Sequence, residues 1–192
     1  MRPLTYADPG FTERKYPRPL EGGWPQGYRL VLRSELMDVP DPAAAFLRLA
    51  DGVLDWDLHR GSGLRVASDT PRAAAGVEMA SGTGFGRLRW RAPCRVLWTA
   101  EPLLDGGVPV SGQRAGFGYG TLRGHPVAGE EGFYAELTAD GQLLFRVAAY
   151  SRPANWIMTL GSPVTRWTQE LITRRYFRAA RRLSGGSPAA TR

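Results

Sequence analysis

LGSPVTRWTQELITRRYFRAARRL, residues 160–183, is the stretch that decides the fold. Ser162-Pro163 is a helix-start signal: Ser suits the cap, and Pro has no N–H to lose in the first turn. Leu160, Val164, Trp167, Leu171, Ile172, Tyr176, Ala179 and Leu183 then recur at helical spacing and form one apolar stripe. Arg174, Arg175, Arg178, Arg181 and Arg182 crowd the last turns, where cations complement the negative end of the helix dipole. A long amphipathic helix must bury its stripe, so the rest of the chain has to supply a surface for it.

The segment before it reads as that surface. Leu64–Ala67, Val77–Ala80, Phe85–Arg91, Cys94–Thr99, Arg114–Thr121, Gly132–Thr138 and Leu143–Ser151 are short runs divided by Gly, Pro, Asp or Ser. Ala139-Asp140-Gly141 is a hairpin turn, since Asp-Gly tolerates positive φ, and Asp105-Gly106-Gly107 marks another reversal. Arg87, Arg89 and Arg91 alternate with Leu88 and Trp90, giving one wet and one dry face. Six or seven antiparallel strands are expected. Further back, Tyr28–Leu36 alternates as a first strand, and Asp41-Pro42 repeats the cap-then-Pro signal. Phe46, Leu49, Val53 and Trp56 follow on one helical face, with Gly52 a candidate break and Gly61 and Gly63 the stop. Residues 1–27 are rich in Pro and aromatics and read as an extended arm, too dense in Pro for a helix. Residues 28–183 form the domain, and 184–192 read as a disordered tail.

Composition bounds the chemistry. The chain has 192 residues, one cysteine and a net charge of +7. Residues 161–192 carry +6 of that charge, leaving the remainder nearly balanced. No disulfide is possible within the chain, and no Cys/His cluster implies a metal or other cofactor. No apolar run approaches the ~20 residues that cross a bilayer, and no signal peptide is apparent. A cytoplasmic protein is expected. The basic helix raises nucleic acid or an anionic membrane as a partner, but no nucleic-acid module accompanies it, and a solvated outer face that complements the helix dipole is the favoured reading.

The order strand, helix, antiparallel sheet, long C-terminal helix resembles the helix-grip arrangement of the START-like (SRPBCC) superfamily, an α+β fold whose sheet wraps the last helix around a cavity. A closed barrel or an α+β sandwich without a cavity is the other architecture. Four stretches carry a closer resemblance: Trp56–Leu64 (WDLHRGSGL), Pro93–Trp98 (PCRVLW), Phe117–Pro126 (FGYGTLRGHP) with Gly129-Glu130-Glu131, and Tyr150–Trp156 (YSRPANW) followed by Leu160–Pro163 (LGSP). Together they are similar, in order and from Leu4 to about Arg182, to uncharacterised protein family 0548, a domain-of-unknown-function family of bacteria and plants. The resemblance implies a START-like fold and no established activity. The loop Leu103–Gln113 is longer than the family leads one to expect, and over a cavity mouth it would alter access.

Candidate site residues follow from the strands and their ends. His125 with Glu130 or Glu131 is a candidate proton-transfer pair, since a carboxylate fixes an imidazole tautomer and raises its basicity. The same residues also suit a plain polar loop. Arg152 can hold a ligand carboxylate or phosphate, or tie down a strand end. His59, after the first helix, suits a cavity rim or a helix end. Tyr119, Trp98 and Trp156, with Trp90, Phe117, Phe133 and Phe145, line a pocket or fill a core, and Tyr119, His125, Glu130, Tyr150 and Arg152 are the expected polar anchors of a ligand. Cys94 reads as a small buried residue. The functional expectation is a small apolar or amphipathic molecule, lipid or polyketide-like, held between sheet and helix. A cyclase, isomerase or hydrolase in the same cavity is the alternative.

Overall fold

Turn chemistry and alternation produce one large sheet with three helices on one side and the N-terminal arm on the other. In the computed structural model, residues 2–14, 23–83, 90–154 and 162–185 are described; the side chains of Thr83, Trp90 and residues 162–169 are not. Seven strands pair antiparallel throughout: β1 (Arg29–Leu36), β2 (Arg65–Ser68), β3 (Glu78–Thr83), β4 (Trp90–Ala100), β7 (Gln113–Thr121), β8 (Val127–Leu137) and β9 (Leu143–Pro153). Their order is β1-β9-β8-β7-β4-β3-β2, so only β1 lies out of sequence. A ribbon of β5 (Leu104–Asp105) and β6 (Val108–Pro109) occupies the long loop. Gln113 holds it, its Nε2 donating to the carbonyls of Leu103 at 2.8 Å and Val110 at 2.6 Å.

Four helices stand among the described residues: α1 (Phe11–Arg14), α2 (Pro42–Leu54), α3 (Asp57–Gly61) and α4 (Ser162–Ser184). The α2 start is as expected, with Asp41 accepting from the Ala44 N–H at 3.0 Å and Pro42 in the first turn. Gly52 does not break α2. A Cβ there would lie 2.8 Å from Leu183 Cδ1, so glycine lets α2 and α4 approach. Arg181 grips Glu35 through two bonds of 2.5 and 2.7 Å, and Arg182 donates to the Gly61 carbonyl at 2.6 Å. The core lies between helices and sheet: Phe46, Leu49, Val53, Trp56 and Leu58 meet Phe117, Phe133, Phe145 and Val147, closed by Tyr176, Phe177 and Ala180. This is the helix-grip α+β architecture, with seven paired strands where six or seven are expected.

The expected elements are modified in several places. The arm contains one helical turn, α1, because the stretch between Pro9 and Pro17 is long enough for it. β4 runs unbroken through Pro93, since the β7 ladder ends at the Cys94–Thr121 pair and asks no N–H of residue 93. Residues 85–89 of the expected Phe85–Arg91 strand lie outside the described set. Ser184, placed in the tail by its sequence, ends α4 and is fully buried, its carbonyl accepting from Arg48 at 2.9 Å.

Candidate functional site

Alternation along β8 sends Glu130 and Glu131 to opposite faces of the sheet, and the other site residues divide with them. On the interior face, Glu131 stands across from Tyr119 in the β7–β8 ladder. The Tyr119 hydroxyl donates to Glu131 Oε2 at 2.7 Å. Burial pushes the Glu131 carboxyl up to about 7, and the Tyr119 bond only partly opposes the shift. Taken as a whole residue, Glu131 is half-buried. Tyr176 of α4 and Cys94 of β4 face the same carboxylate; burial and that negative charge hold their acid groups well above their ordinary ranges.

His59 reaches this group through a local irregularity. Between α2 and α3, Trp56 adopts φ 69°, a left-handed conformation unusual for a bulky residue. Full burial and an Nε1 bond to the Thr70 carbonyl at 3.1 Å hold it there. The resulting turn carries α3 across α4 and drives His59 inward, where it has no exposure. The imidazole touches Trp56, Phe117, Tyr119, Phe133 and Tyr176, with ring centroids 4.7 to 6.3 Å away. Neither ring nitrogen has a hydrogen-bond partner among the described residues. Burial, aided by the charge of Arg60, pushes its pKa down to about 3, so the ring is neutral.

On the outer face, Glu130 receives the N-terminal arm. The backbone N–H groups of Gly10 and Thr12 donate to its carboxylate, as does the Thr12 hydroxyl at 3.3 Å. Thr12 is the hub: Trp98 Nε1 donates to its hydroxyl at 2.9 Å and the Tyr134 hydroxyl to its carbonyl at 2.6 Å. A β-bulge between Val96 and Trp98 turns Trp98 to this face, where it stacks on Tyr134. Tyr150 is enclosed by Tyr6, Phe11, Trp24 and Tyr28, and Arg152 lies exposed with its guanidinium 4.8 Å from the centroid of Tyr28.

The expected constellation therefore splits. Tyr119, Glu131 and His59 gather inside. Glu130, Trp98, Tyr150 and Arg152 belong to the arm face, and Trp156 lies outside the described residues. His125 joins neither group: in the β7–β8 turn its Nδ1 accepts from the Val127 N–H at 3.1 Å, and burial pushes its pKa down to about 4. The His125–carboxylate pair does not form: His125 Nδ1 is bonded to Val127 within the turn, Glu130 is held by the arm, and Glu131 lies on the interior face with Tyr119. Tyr176, which the helical stripe assigned only to packing, completes the interior group. Parity was the available signal for Glu131, which shares a face with Phe133 and Ala135. Among the described residues, no cluster of three or more His, Cys, Asp or Glu side chains forms a metal site. No helix there is long and apolar enough to cross a membrane. Of the basic helix, Arg181 and Arg182 are occupied in closing the fold, while Arg174, Arg175 and Arg178 are exposed.

Fold and site together define a helix-grip protein with a polar group enclosed on the interior face of its sheet. The chain belongs to the family described as a domain of unknown function (DUF1990), whose model matches residues 5–179. It is 39% identical to a UPF0548 protein of Arabidopsis thaliana over 59 residues, 31% of this chain and 29% of the relative. It is 40% identical to a UPF0548 protein of Deinococcus radiodurans over 72 residues, 38% of this chain and 36% of the relative. The aligned stretches thus span about a third of each curated relative. Among solved structures, it is similar in fold to the hypothetical protein jhp0584 from Helicobacter pylori, at 8% identity and a TM-score of 0.56, over 81% of this chain and 88% of that one.

Proposed function

We propose that this protein binds a small molecule with an apolar body between the sheet and α4, anchored at the Tyr119–Glu131–Tyr176 group beside His59. The observation that carries the reading is Glu131. A carboxylate has about four acceptor sites, and here Tyr119 is its one hydrogen-bond donor among the described residues. A buried, under-satisfied carboxylate is an unfavourable way to fill a core. It suits a site in which a bound molecule supplies the missing donors. The unpartnered nitrogens of His59 point the same way. The single cysteine suits a reducing, cytoplasmic setting.

Native mass spectrometry of the gently purified full chain tests the reading. The expected result is a co-purifying adduct released on denaturation, or binding of an apolar dye at a site that Tyr176→Trp blocks. Absence of any adduct, together with no dye binding or dye binding unchanged by Tyr176→Trp, overturns it. A second reading is acid–base catalysis in the same space, favoured by a carboxyl that titrates near neutrality beside two phenols. In that case Glu131, rather than His125, is the proton carrier.

A further inference from the structure

The polar group inside the fold has a one-sided charge. Glu131 is faced by Tyr119 from β7, Cys94 from β4 and Tyr176 from α4, and His59 of α3 touches both tyrosines. All four neighbours are neutral when Glu131 ionises. None of the ion pairs among the described residues involves Glu131, and every arginine pair lies on the periphery. Aromatic rings surround the imidazole, with the pairs Phe117–Tyr119, Phe117–Phe133, Tyr119–Phe133 and Phe133–Tyr176 at centroid distances of 4.9 to 6.1 Å.

These features discriminate between ligand classes. An anionic ligand would meet a carboxylate with no intervening cation. A neutral alcohol could donate one hydrogen bond but would leave the ionised carboxylate without a counter-charge in a poorly solvated site. A protonated amine supplies both the donors and the charge, and its N–CH groups are attracted to aromatic faces. From this geometry we infer that the interior site selects a monocationic amine on an apolar body, with Glu131 as its counter-ion. The inference rests on the binding reading above and narrows it to one chemical class.

Matched pairs of probes test it on the full chain: 2-phenylethylamine against 2-phenylethanol, and octylamine against octanol, followed by displacement of the neutral dye Nile red and by titration calorimetry. Each amine is expected to bind at least about tenfold more tightly than its alcohol near neutral pH. Glu131→Gln should reduce that preference to about twofold or less. A readout on the unaltered protein makes the test independent of whether the variant folds. Calorimetry in buffers of different ionisation enthalpy should detect release of nearly one proton per amine bound at about pH 6 and almost none at about pH 8.5. Equal affinities within a pair, a preference that persists in Glu131→Gln, or no proton release overturns the amine assignment. If alcohols displace the dye and amines do no better, only this inference falls. If nothing binds, including the dye, the binding reading falls with it.

Discussion

Glu130 and Glu131 have the same side chain and adjacent positions, and their fates differ because a strand turns successive residues to opposite faces. Glu131 predicts a pH signature. Its carboxyl titrates near 4.5 when unfolded and near 7 in the fold, so the folded protein keeps a proton that the unfolded chain has released. Its contribution to stability is full below the lower value and is lost as pH rises through the higher one. His59 acts oppositely: its neutral form is favoured in the fold, so stability is lost as pH falls from 6.5 toward 3. Glu131→Gln should therefore gain on the wild type by on the order of 2 kcal/mol between about pH 4.5 and pH 8, measured by urea unfolding across pH. His59→Phe should raise stability by roughly 1 kcal/mol near neutrality, because two buried nitrogens without partners are removed. A loss of stability would mean that the imidazole is satisfied in solution. The sequence exposes the Tyr119–Glu131 pairing to a reader who counts parity from Phe133. It does not announce His59, whose inward turn depends on a tryptophan in a backbone conformation normally left to glycine or asparagine.

Elements with explicit chemical punctuation were legible. Asp41-Pro42 and Asp140-Gly141 mark a helix start and a hairpin because a cap and a positive-φ turn each require particular residues. The bulge at Val96/Trp98 was not, since nothing in local composition marks an extra residue in a strand, and it moves Trp98 to the other face. Trp98 there lies over paired glycines, Gly118 and Gly132. A Cβ on Gly118 would collide with the indole nitrogen, which has no flexible end to move aside. Gly118→Ala should destabilise the protein by about 2 kcal/mol in denaturant unfolding and break the Trp98–Thr12 bond. The arm is the complementary test. Thr12→Val keeps the shape but removes the acceptor of Trp98 and one donor to Glu130. Tryptic cleavage after Arg14 should accelerate several-fold while the rest of the chain resists, since local opening governs such cleavage. Unchanged cleavage would show that the Thr12 hydroxyl does not secure the arm.

At the scale of the molecule, both faces of the sheet carry cover, helices on one and the chain's first residues over the middle of the other. Deleting residues 1–14 should uncover Trp98, Tyr134 and Tyr150 and increase binding of an apolar dye such as ANS, with aggregation at lower protein concentration. If the shortened chain stays monomeric and dye-negative, the arm is dispensable as a cover. The net charge of +7 takes its place at this scale too. Part of the basic helix fastens α4 to β1 and α3, so its charge cannot be read wholly as a surface for anionic partners. One buried residue gives the molecule a clock. Cys94 is the chain's single thiol, sits fully buried facing Glu131, and is protonated at ordinary pH. Its modification by a thiol reagent therefore counts one event, the opening of the interior. The rate of that reaction times how often the protein admits a visitor.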